Sequence, residues 1–176
     1  VKQAETGSTY LDVHLGTRGA TDIAFVEQVV RGIQQVVSIP LCFDFAELKS
    51  LECCLRTYDR ARAGGQLPLI NSITEPRWEL LELRKVAPFK VLLMASERVE
   101  DGAAKSNKSG EEIAATAKRC ALRMVKAVLP AMKAQKAGSI VNVSSMGSVQ
   151  PYPGGAAYAT AKAALESDTR TLAFEA

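Results

Sequence analysis

Five short apolar runs alternate with longer amphipathic stretches along this chain, and that alternation restricts the fold more than any other feature. The runs are Tyr10 to Leu15, Pro40 to Phe45, Leu67 to Ile73, Lys90 to Ala95 and Ser139 to Ser144. They are short and mostly apolar rather than strictly alternating, the pattern of strands covered on both faces. Between the first two, Ile23, Val26, Val29, Val30, Ile33 and Val37 fall on one helical face behind Thr21, the predicted N-cap. Leu48, Leu51, Leu55 and Tyr58 predict a second helix, and Pro76 followed by Trp78, Leu80, Leu81 and Leu83 a third. A long fourth pattern runs from about Glu111 to Gln135, where Pro130, lacking an N–H donor, is predicted to kink or divide the helix. The fifth covers about Ala156 to Phe174, and the Gly-, Ser-, Lys- and Asn-rich stretch from Glu100 to Gly110 reads as the longest loop.

Strict alternation implies right-handed βαβ units and a parallel sheet. A closed eight-fold barrel takes roughly 250 residues, and this chain has 176. The expected fold is therefore α/β: an open, mostly parallel five-stranded sheet, doubly wound in the Rossmann or flavodoxin manner, in a single domain over residues 1–176. A half-barrel that dimerises is the alternative. A net charge of +3 from 22 basic and 19 acidic residues, scattered along the chain, offers no footprint for nucleic acid or an anionic membrane. The first seven residues hold no apolar signal core, so a cytoplasmic location is expected. Cys42, Cys53, Cys54 and Cys120 lack CxxC spacing and read as packed thiols, with no metal site expected.

Tyr10-Leu-Asp-Val-His-Leu-Gly16, Pro40-Leu-Cys-Phe-Asp44 and Leu69-Ile-Asn-Ser72 resemble three successive strands of the methyltetrahydrofolate:corrinoid methyltransferases, which are pterin-binding TIM barrels. The resemblance spans about residues 7–116 and implies that Asp44 and Asn71 hydrogen-bond a pterin ring. A flat heterocycle needs such a carboxylate and amide held at the mouth of adjacent strands. His14 stands where that family usually has Asn, and Phe45 where it has Ser, which would put two rings beside the pocket. As plain structure, Asp44 and Asn71 read as strand-end residues capping a following turn, and His14 as a partly buried strand-end residue.

From about residue 118 to 176 the sequence resembles a second family. Ala127-Val-Leu-Pro-Ala-Met-Lys133, Gly138-Ser-Ile-Val-Asn-Val-Ser-Ser145 and Tyr158-Ala-Thr-Ala-Lys162 are similar to the helix, strand and YxxxK helix of the short-chain dehydrogenases. That resemblance implies that Tyr158 is a general acid or base, that Lys162 supports its ionisation and holds a nicotinamide ribose, and that Ser145 orients the substrate oxygen. No TGxxxGxG follows a first strand, no NNAG is present, and Ala117 stands where the family carries a catalytic Asn. Gly16-Thr-Arg-Gly19 is a strand-end loop without a third glycine. Asp168 replaces the family's Leu on the stripe of Ala161, Leu165 and Leu172, so that stripe is expected to face water.

Three functional expectations follow. The first is an engineered chimera without catalytic activity, a test of folding in which barrel-derived βα units over 1–116 join a Rossmann-derived helix–strand–helix over 117–176, with the junction around 105–125. On this reading no cofactor is expected, there is no nucleic-acid or membrane partner, and self-association is left open. The second is residual pterin or folate binding by Asp44 and Asn71. The third is an NAD(P)-dependent oxidoreductase using Ser145, Tyr158 and Lys162.

Overall fold

In a computed structural model of the chain, residues 2–136, 140, 142–150 and 153–175 are described, without the side chains of 157, 161, 168, 172, 174 and 175. The helices are α1 (Lys2–Glu5), α2 (Gly16–Thr21), α3 (Ile23–Val36), α4 (Leu48–Thr57), α5 (Gly110–Gln135) and α6 (Ala156–Glu175). The strands are β1 (Leu11–Val13), β2 (Leu41–Asp44), β3 (Leu69–Ile73), β4 (Lys90–Leu93), β5 (Glu97–Glu100) and β6 (Ala103–Ser106). Helical turns of the 3₁₀ type cover Glu75–Lys85 and Met146–Ser148. The fold is α/β, with a parallel sheet alternating with helices in the Rossmann-like manner. Two compact units divide the chain: Val1–Ile73 with Arg77–Leu93, and Thr74–Pro76 with Met94–Ala176.

The first unit holds a four-stranded parallel sheet in the unbroken order β1-β2-β3-β4. Of the helices that connect its strands, α3 packs directly on α4. Leu41, Cys42 and Phe43 are all buried, so both faces of β2 are covered. Exposure alternates along β4, as suits an edge strand with one open face. Val26, Val30, Leu51 and Leu55 from the helices close the core over Phe43 and Ile70. The N-cap of α3 is Asp22 rather than Thr21: its carboxylate accepts the Phe25 N–H at 2.9 Å, while the Thr21 hydroxyl donates back to the Thr17 carbonyl. The expected third helix is a 3₁₀ stretch interrupted at Arg77. The Arg77 guanidinium turns back to the carbonyls of Ala46 at 2.6 Å and of Phe45 and Ser72 at 3.3 Å, tying the ends of β2 and β3.

The sheet has four strands where the sequence predicts five. Of the predicted run Ser139 to Ser144, residues 139 and 141 lie outside the described residues, and among the described residues 142–144 pair with no strand. In the second unit the expected loop 100–110 contains the turn and second strand of a β-hairpin, because Asp101 (φ +54°) and Gly102 (φ +76°) form the two-residue turn that matches strand twist. Ser109 and Glu112 form a reciprocal capping box at the start of α5. That helix then continues through Pro130 without dividing. Asp168 and Leu172 lie outside the described side chains, and the stripe they share stands only as an expectation. No described helix is long and apolar enough to cross a membrane.

Candidate functional sites

Parallel register places Asp44 directly beside Asn71, at the C-terminal end of β2 and within β3. Paired residues of neighbouring strands share a face, so a carboxylate and an amide stand together at one edge of the sheet. Asp44 is 44% exposed. His14 is exposed rather than partly buried; its ring Nδ1–H donates to the Asp44 carbonyl at 3.0 Å, so it braces the strand end from outside. Phe45 does not open onto this edge. It is buried against Gly19, where an added Cβ would meet the ring at 2.7 Å, so glycine at 19 serves that close approach.

The Ser145, Tyr158 and Lys162 positions fall in the second unit. Tyr158 and Lys162 sit one turn apart on α6, with the Lys162 ammonium 5.7 Å from the Tyr158 ring centroid. That ammonium donates to the Val143 carbonyl at 2.8 Å, which draws residues 142–148 alongside the helix. Ser145 caps the Met146–Ser148 turn, its hydroxyl oxygen accepting the Gly147 N–H at 3.2 Å. Tyr158 stays 44% exposed, so its phenol faces solvent from one side. Ala117 lies on α5 among Ala114, Lys118, Ala121 and the α6 residues Ala164 and Leu165, around a groove of about 270 Å³ in which, among the described residues, Lys118 is the polar side chain.

Sequence reasoning missed three residues here. The Glu166 carboxylate accepts hydroxyl bonds from Ser144 and from Ser148, the latter at 2.5 Å. These hydroxyls, Ser144 foremost, hold the Glu166 carboxyl below its ordinary value. The available signal was spacing: Glu166 follows Lys162 by one turn and so extends the Tyr158–Lys162 face.

A dinucleotide does not fit the described residues. Such a cofactor rests its pyrophosphate on a glycine-rich turn leading into a helix. Residues 16–19, expected as a strand-end loop, are instead the first part of the six-residue helix α2, and the space beside Gly19 is taken by the Phe45 ring. Among the described residues no group of three His, Cys, Asp or Glu side chains could hold a metal ion.

Burial pushes the Cys42 thiol up to about 12, with Asp12 adding to it, and raises Cys54 and Cys120 as well. The thiolate is the reactive species. At pH 8 an alkylating reagent should therefore modify the half-buried Cys53 first and the other three more slowly, Cys42 by at least about 100-fold, while reductant and chelator leave the melting temperature unchanged. Equal rates at all four thiols, read by mass spectrometry, would contradict the packing described.

Residues 95–176 match the family described as short chain dehydrogenase. The match covers Ser145, Tyr158 and Lys162 and begins well before the expected boundary near 118. No curated protein matches the chain.

Proposed function

We propose that this chain is an oxidoreductase-like protein carrying the substrate side of a short-chain dehydrogenase site, Ser145, Tyr158 and Lys162, and that alone it transfers no hydride. The observation that carries this reading is the Lys162–Val143 contact, which sets the Ser145 segment beside the helical turn bearing Tyr158 and Lys162. In that arrangement the Ser145 hydroxyl orients a carbonyl oxygen, and the Tyr158 phenol gives or takes its proton. Hydride transfer also requires a donor held within about 3 to 3.5 Å of the carbonyl carbon, and the described residues include no cradle for one. The Lys162 ammonium is moreover already engaged by Val143. Purified protein is expected to show no carbonyl-dependent oxidation of NADH or NADPH above a blank, and no thermal shift with either. Turnover that vanishes in Tyr158→Phe would overturn the inactive part of the proposal.

A second reading, residual pterin or folate binding, draws on the register that sets Asp44 beside Asn71. It makes the chain chimeric, with residues 1–116 barrel-type and 117–176 dehydrogenase-type within one domain. A folate-induced rise in melting temperature that Asp44→Ala abolishes supports it; no rise in the unaltered protein removes it.

A further inference from the structure

Ser145 makes no described side-chain hydrogen bond to α6, yet the segment that carries it is tied to that helix on both sides. Its neighbours supply the hold. Glu166 Oε1 receives the hydroxyls of Ser144, immediately before it, and of Ser148, three residues after it. A serine hydroxyl has one proton to give. The Ser148 hydroxyl lies 2.7 Å from the Ser145 carbonyl and 2.5 Å from the carboxylate, and the charged acceptor makes the stronger bond. One carboxylate oxygen therefore pins both ends of the turn that presents Ser145. The adjoining stretch is tied separately, through Asn142 to the Thr169 hydroxyl at 2.8 Å.

The geometry points to Glu166 as a positioning residue for Ser145, acting through Ser144 and Ser148. This rests on the proposal that Ser145 is the carbonyl-orienting hydroxyl, and it adds the residue that keeps that hydroxyl in register with Tyr158. Glu166 itself touches no substrate.

The test is residue-resolved amide hydrogen exchange on the full chain, with the Ser145 side-chain resonance as a second readout. The Gly147 amide bonds to the Ser145 hydroxyl and the Ser148 amide to the Ser145 carbonyl at 2.9 Å, so both report the turn. In Glu166→Gln these two amides should exchange at least about tenfold faster and the Ser145 resonance should shift, while α5 amides keep their protection. The double variant Ser144→Ala/Ser148→Ala, with Glu166 intact, should do the same; Ser148→Thr, which retains the hydroxyl, should not. Unchanged exchange at Gly147 and Ser148 would overturn the assignment. So would equal acceleration across α5, which marks general loss of stability. Failure of the functional proposal would register separately, as NAD(P)H turnover that persists in Ser145→Ala and in Tyr158→Phe, which these amides do not report.

Discussion

Phe43→Ala should destabilise the protein by about 3–5 kcal/mol, the largest effect expected of any single core truncation here. Phe43 is fully buried at the centre of the four-stranded sheet, in register with Val13 on one side and Ile70 on the other. Its ring meets Tyr58 edge-on at a centroid distance of 6.1 Å, a contact worth about 0.5–1.5 kcal/mol beyond burial. Truncation leaves a cavity between covered faces that cannot collapse, because the neighbouring strands are fixed by their ladder bonds. Urea unfolding should show a lowered midpoint at unchanged slope. Val36→Ala, at a position 64% exposed, should stay within about 0.5 kcal/mol of the unaltered protein. The same measurement tests the proposal that residues 1–176 form one cooperative domain: a single transition should move as a whole. Two transitions with only one displaced would refute it.

The second large effect is expected at Glu75. Its carboxylate is 15% exposed and receives Arg119 in a two-pronged contact, Nε at 2.7 Å and Nη2 at 2.8 Å, with the Val99 N–H at 3.2 Å. The Arg119 bond, foremost, holds the Glu75 carboxyl below its ordinary value against the opposing effect of burial. A carboxyl depressed in the folded state contributes stability that is present above its unfolded value, about 4.3, and is lost as pH falls through the folded value. Glu75→Gln should cost about 1–3 kcal/mol at pH 7, a figure kept low because Arg119 remains half exposed. The difference between the two proteins should shrink as pH falls below about 4. Stability curves that stay parallel from neutral to acid pH would show that the pair contributes nothing.

Much of the architecture is local and was legible from residue order. Four of the five apolar runs are strands of one parallel sheet, and the helical periods begin and end within a few residues of α3, α4, α5 and α6. The hairpin was legible too: Asp101-Gly102 is the dipeptide that a two-residue turn favours, and the polar composition around it masked the signal. The Tyr158–Lys162 spacing gave one helical turn and was realised as one.

What the sequence by itself determined about this protein is what depends on periodicity and on spacing along a single element: the α/β class, the positions of the four strands of the parallel sheet, and the residues sharing a face of α6. Only the tertiary structure decided which strands meet, and in what order. Side-chain period carries no record of a neighbour, and the unbroken order β1-β2-β3-β4 arises from non-local pairing. For the same reason the pairing of Asp44 with Asn71, the close approach of Phe45 to Gly19, and the capture of Ser144 and Ser148 by Glu166 became visible only in three dimensions. Each joins residues 18 or more positions apart, a separation over which the chain's local preferences specify nothing.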